Sequence, residues 1–173
     1  MSEQISDRDV LDRARRIKLL LMDCDGVLTD GKLYFSAGGE EMKAFHIRDG
    51  QGIVSWHRAG FTSGVISGRD LKILQTRAAE LGIKYVKGSS VDKTKDLEDI
   101  LRDAQVSSDE VAYIGDDIGD IDIMKKVGLP VAVADAASEV LPFALFVTKT
   151  KGGCGAVREL TDVLLAAKKG EKS

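Results

Sequence analysis

Apolar and polar positions along the chain fall into two alternating rhythms. Short apolar runs at Leu19–Met22, Thr62–Ile66, Lys84–Val86, Glu110–Ile114 and Pro130–Val133 have the length of buried strands, too short for membrane spans. Between them lie stretches with helical spacing. These are Asp9–Arg16, with Val10, Leu11 and Ala14 on one side, Gly50–Ala59, Asp70 to about Leu81, and Lys93–Ala104, with Leu97, Ile100 and Leu101 inward. A further helix is expected between the GDD run and Pro130. Lys32–Phe35 and Met42–His46 flank Ser36-Ala37-Gly38-Gly39, which predicts a β-hairpin flap over about residues 32–46, overhanging the end of the first strand. The terminal KGGCGAVRELTDVLLAAKKGEKS predicts a glycine-rich turn, a last amphipathic helix and a charged tail over about residues 166–173.

Strands alternating with helices of about a dozen residues predict an α/β fold, a Rossmann-like parallel sheet sandwiched by helices. No insertion besides the hairpin is large enough for a cap, so residues 1–173 read as one domain. Ligands of such sheets bind beyond the carboxyl ends of the strands. Those ends carry Asp23 and Asp25, Ser67, and Asp116 and Asp117, three polar groups on one edge. Residues i and i+2 of a strand share a face, so Asp23 and Asp25 project together while Cys24 points into packing. Two neighbouring carboxylates repel unless a proton or a cation lies between them, which asks for acid/base chemistry or a metal. An EF-hand calcium loop does not fit, because Gly26 stands fourth, Tyr34 stands twelfth, and a strand precedes the run.

Composition narrows the class. With 43% hydrophobic and 31% charged residues in 173, the chain reads as an ordinary soluble protein with a sizeable core. Its net charge of -3 and dispersed basic residues give no footprint for nucleic acid. Two cysteines, Cys24 and Cys154, far apart and without a C-x-x-C pair or a secretory signal, point to the reduced cytoplasm. No apolar stretch approaches the length of a membrane span.

DCDGVLTDG, ISGR, a lysine opening a helix at Lys93, and IGDDIGD stand in that order on those elements. Together they resemble the four motifs of the haloacid dehalogenase superfamily of phosphohydrolases. The resemblance implies that Asp23 is the nucleophile and Asp25 the general acid/base, with Ser67 and Lys93 holding the transferring phosphoryl group. It also implies a magnesium ion bound by Asp23, the backbone carbonyl of Asp25, and Asp116. Asp117 and Asp120 are expected to brace Lys93 or a metal-bound water, and Asp122 to face solvent.

From Ile17 to about Leu165 the chain is similar to one branch of that superfamily, the 3-deoxy-D-manno-octulosonate 8-phosphate phosphatases of lipopolysaccharide synthesis. The missing cap, the hairpin, FHIRDGQGI and GGCGAVRE carry this likeness. It implies that the substrate is gripped by His46, Ile47, Arg48, Asp49 and Gly50 and by Arg69 and Arg77, alongside Asp25 and Lys93. Guanidinium forks suit a carboxylate and hydroxyls. A relative acting on nine-carbon keto-deoxy sugar phosphates carries glutamate where this chain has Arg69, which favours the eight-carbon acid. The branch also implies a homotetramer, in which a neighbour's hairpin and tail close the site. Gly152–Gly155 either bring N–H groups near an anion or simply let the chain turn. His57 reads as packing or surface. The alternative class, a phosphoacceptor switch like a receiver domain, lacks an acid/base two residues after its acceptor and carries its acidic pair earlier.

Overall fold

Four consecutive buried residues, Leu19–Met22, make β1 the middle of the sheet. The computed structural model describes residues 7–70 and 72–169. Along them run α1 (Asp7–Arg16), β1 (Leu19–Met22), β2 (Tyr34–Ser36), β3 (Gly39–Met42), α2 (Ile47–Arg58), β4 (Thr62–Ile66) and α3 (Lys72–Leu81). Then follow β5 (Tyr85–Lys87), α4 (Lys93–Ala104), β6 (Val111–Gly115), α5 (Ile121–Met124), β7 (Leu129–Ala132), β8 (Phe146–Val147) and α6 (Ala156–Lys169). Six strands form a parallel sheet in the order β5-β4-β1-β6-β7-β8, and β2 and β3 form a separate antiparallel pair.

Side chains alternate across the sheet and build two cores. Leu20 and Met22 of β1 pack with Ala112, Ile114 and Val131 under α1, α2, α3 and α6. Leu19 and Leu21 pack with Val111 and Tyr113 under α4 and α5, against Leu97, Ile100 and Ile123. Burial on both faces is what a parallel sheet requires, and it explains the unbroken apolar reading of β1 and β6. Met22 is level with Val65 on one side and Ile114 on the other. The three central strands therefore end together, and Asp23, Ser67 and Asp116 leave the sheet at one edge.

The Rossmann-like sandwich matches the expected fold class, and the departures are local. The hairpin closes tightly through Ala37 and Gly38, with Gly39 at φ +111, so its second strand is Gly39–Met42 rather than Met42–His46. The chain then turns inward at Lys43, which is buried. Helix α2 starts three residues before Gly50, because His46 Nδ1 accepts the N–H of Arg48 at 3.2 Å and caps the new first turn. The helix after GDD is short, a 3-10 turn at Ile118–Asp120 leading into α5. Strand β8 had no separate signal in the pattern. Of the expected charged tail, residues 166–169 complete α6, while 170–173 lie outside the described residues. The start expected at Asp70 falls to Lys72, residue 71 being outside them too.

Candidate active site

The loop after β1 is tied to its own start. Asp23 N donates to Ile114 O at 3.0 Å, extending the sheet by one residue. The carbonyl of Cys24 then accepts the N–H groups of Val27, Leu28 and Thr29 at 3.3, 2.9 and 3.1 Å. Gly26, at φ +88, makes this turn possible, and a Cβ there would sit 1.9 Å from Asp116 Oδ2. Glycine thus lets the acidic loop after β6 close onto the loop after β1.

Asp120 braces that acidic loop. It is buried, and its Oδ2 accepts the N–H groups of Asp116 at 2.9 Å and Asp117 at 3.2 Å. Its Oδ1 accepts from the Tyr113 hydroxyl at 2.6 Å and from Lys93 Nζ at 2.7 Å. Lys93 stands in the first turn of α4, whose cap Asp92 accepts the N–H groups of Thr94 and Lys95 at 2.9 and 3.2 Å. From there its ammonium lies 3.1 Å from Asp23 Oδ2, bridging Asp23 to Asp120.

The electrostatics of this cluster are those of crowded carboxylates. Burial, then the charge of Asp120, raise the Asp23 carboxyl to about pKa 6 against the pull of Lys93. Burial and the charges of Asp23, Asp120 and Asp117 raise Asp116 to about 8. Burial would lower the Lys93 ammonium, yet Asp23 and Asp120 outweigh it and raise its pKa. Burial and the nearby Asp120 push the Tyr113 hydroxyl well above the usual tyrosine range. One ligand atom each from Asp23, Asp116 and Asp120 lies within 4.8 Å of the others. Both oxygens of Asp120 are already engaged, whereas Asp116 Oδ1 is buried and accepts no hydrogen bond among the described residues. An all-oxygen donor set with excess negative charge fits a hard divalent cation.

Asp25 flanks Asp23 on the same cleft. Its Oδ1 pairs with Lys43 Nζ, and its Oδ2 lies 3.8 Å from Arg69 Nε. Ser67 is buried, and its Oγ accepts the N–H of Arg69 at 3.2 Å. Asp23, Asp25, Ser67, Arg69, Lys93 and Asp116 thus share one open cleft of about 270 Å³, with Asp117, Gly119 and Asp120 on its acidic side.

Comparison with known proteins decides the family. A family model of haloacid dehalogenase-like hydrolases matches residues 58–160. The 3-deoxy-D-manno-octulosonate 8-phosphate phosphatase of Yersinia pestis is 46% identical over 159 residues, covering 92% of this chain and 85% of that protein. The chain belongs to the haloacid dehalogenase-like hydrolases. Among solved structures, the Moraxella catarrhalis phosphatase of the same substrate name is 30% identical to this hydrolase with TM-score 0.92, covering 96% of each chain. It was crystallised with magnesium, phosphate and KDO. A cobalt-bound form of the Haemophilus influenzae phosphatase is 41% identical with TM-score 0.89, covering 91% of this chain and 92% of that one.

Other predicted site residues of the hydrolase lie elsewhere. His46, Asp49, Gly50 and Arg77 line a separate narrow crevice with Leu28 and Phe45. Asp49 Oδ1 accepts the N–H of Arg158 at 2.8 Å, so this carboxylate caps the start of α6. Arg77 pairs with Glu80 at 2.8 Å and packs over Gly50, where a Cβ would meet Arg77 Nη2 at 2.4 Å. Ile47 and Arg48 are exposed on the first turn of α2 and do not line the acidic cleft. Two residues of the site escaped the pattern. Tyr113 carried a weak signal, since a tyrosine in a buried strand needs a partner for its hydroxyl. Lys43 carried none, being eighteen residues from Asp25 on a surface hairpin.

Proposed function

We propose that the protein is a magnesium-dependent phosphatase that hydrolyses 3-deoxy-D-manno-octulosonate 8-phosphate through an aspartyl-phosphate on Asp23. The observation that carries this reading is the pairing of two carboxylates on one cleft. Asp23 is held by Lys93 at 3.1 Å, and Asp25 beside it is held by separate cations. Asp23 attacks phosphorus, the bond from phosphorus to the ester oxygen breaks, and Asp25 gives that oxygen its proton. Water then attacks the phosphoryl group, Asp25 takes its proton, and the bond to Asp23 breaks to restore the carboxylate. Ser67 and Lys93 hold the phosphoryl oxygens, and Lys93 offsets their charge. Asp23, Asp116 and the backbone carbonyl of Asp25 would hold magnesium, which adds positive charge against the same oxygens. Asp120 and Tyr113 keep Lys93 and the Asp116 backbone in place.

Arg69 lies next to Ser67 on the cleft and is the cation that receives the substrate's carboxylate. The run His46–Gly50 and Arg77 secure α2, α3 and α6, and complete the substrate grip with the cleft of a neighbouring copy. That copy belongs to a homotetramer assembled through the flap, where Phe35 is 63% and Met42 54% exposed. No helix among the described residues is long and apolar enough to cross a membrane. The enzyme works in the cytoplasm, in lipopolysaccharide synthesis. The test is phosphate release, with and without magnesium, from a panel holding the eight-carbon acid phosphate, nine-carbon keto-deoxy sugar phosphates, hexose phosphates and p-nitrophenyl phosphate. Magnesium-dependent preference for the eight-carbon acid supports the assignment. Preference for a nine-carbon acid would sink the substrate, and no turnover of any ester would sink the chemistry.

A further inference from the structure

The flap returns to the body of the protein through an inward-pointing lysine. Lys43 follows β3 between two exposed residues, Met42 and Ala44, yet its own side chain is only 2% exposed. A lysine buried this deeply needs a counter-charge to keep its proton, and Asp25 Oδ1 supplies one. The two oxygens of Asp25 thereby differ. Oδ1 is held by Lys43, which does not line the acidic cleft. Oδ2 is buried and accepts no hydrogen bond among the described residues, and on its side stands Arg69, which does line the cleft.

We infer that Lys43 is a positioning residue. It clamps Asp25 by Oδ1, so that Oδ2 is the oxygen that exchanges the proton with the ester, and it makes the seating of the flap a condition for acid catalysis. The inference rests on the reading of Asp25 as general acid/base. A lysine that merely stabilised the fold would affect every substrate alike. In the first step, which kcat/KM reads, one that acts through the acid matters only where the departing oxygen needs a proton, since the later attack of water is common to all esters.

The experiment compares kcat/KM for 3-deoxy-D-manno-octulosonate 8-phosphate, an alkyl ester, with that for p-nitrophenyl phosphate, whose leaving group departs as a stable anion. General acid catalysis contributes roughly 10²–10⁴-fold, and a displacement of about 1 Å can remove about 10²-fold. Lys43→Met is expected to lower the alkyl value about 10²-fold and the aryl value less than about fivefold. Lys43→Arg, which keeps the charge and guards against a variant that fails to fold, is expected to show the same bias in smaller degree. Equal losses on both esters, or none, would overturn the inference while leaving the phosphatase reading intact. A wild-type enzyme inactive on the alkyl ester would overturn the reading of Asp25 and this inference with it.

Discussion

Replacing Gly152 by alanine should move the loop that carries Asp23 and Asp25 from behind. The segment before α6 packs backbone to backbone on the turn after β1, where Gly153 N donates to Val27 O at 2.9 Å, and is anchored to the loop after β7, where Gly152 N donates to the Asp135 side chain at 2.9 Å. A Cβ on Gly152 would lie 1.7 Å from Gly26 O and 2.6 Å from Gly26 C. Ordinary contact begins at 3.4 Å, so one backbone must retreat by 3.4 − 1.7, about 1.7 Å. No rotamer can relieve the clash, because both partners are main chain. Gly26 directly follows Asp25 and stands three residues after Asp23, so the retreat reaches both carboxylates. Displacement of a reacting group by about 1 Å costs about 10²-fold in rate, and overpacking costs about 1–3 kcal/mol. Gly152→Ala should therefore lose at least about 10²-fold in kcat. Its melting temperature should fall by about 2–12 °C, at about 2–4 °C per kcal/mol for a chain of this size. Steady-state kinetics and a thermal melt measure both. A variant with wild-type kcat and melting temperature would show that this contact does not set the loop that carries Asp23.

Three further outcomes follow from named contacts. Magnesium at 100 times its dissociation constant should stabilise the fold by about 2.7 kcal/mol, and Asp116→Asn should abolish that gain in a melt; an undiminished gain would move the metal away from Asp116. Asp49→Ala should cost about 1–2 kcal/mol by uncapping α6 and should also raise KM for the sugar-acid phosphate. Lost stability at an unchanged KM would take Asp49 out of the substrate grip. His57 should make folding sensitive to mild acid. Burial lowers its pKa below 6.5, although the Leu81 carbonyl opposes this, so below 6.5 the unfolded chain binds the extra proton first. Stability from His57 is complete above 6.5 and lost as pH falls through its lower folded value. Melts from pH 7.5 to 5.5 should fall more steeply for wild type than for His57→Gln, and parallel slopes would contradict this.

What the sequence made legible was what is local. β1 and β6 are unbroken apolar runs because both their faces are covered, and the strands' level ends follow from one parallel register, so Asp23, Ser67 and Asp116 could be expected together. Lys93 was legible as the opening of a helix. The illegible parts depend on distant pieces of chain. Lys43 reads as a flap residue until the short hairpin turn shows that the chain bends inward there. The tie of Asp49 Oδ1 to α6, 109 residues later, could not be read beside the substrate contact expected of it. The close approach of Gly152 to Gly26 leaves no periodic trace, since glycines in a turn look alike whether they face solvent or another backbone. The helix expected after GDD shrank because Asp120 turns back to bind the N–H groups of Asp116 and Asp117.

In the proposed chemistry Asp23 carries the phosphoryl group during turnover. Enzyme mixed with 3-deoxy-D-manno-octulosonate 8-phosphate and magnesium, quenched in acid within one turnover and digested for mass spectrometry, tests it directly. A phosphoryl group is expected on the peptide that holds Asp23, and none on that peptide of Asp23→Asn. Rapid phosphate release with that peptide unmodified throughout, or with the phosphoryl group on another residue, would contradict it.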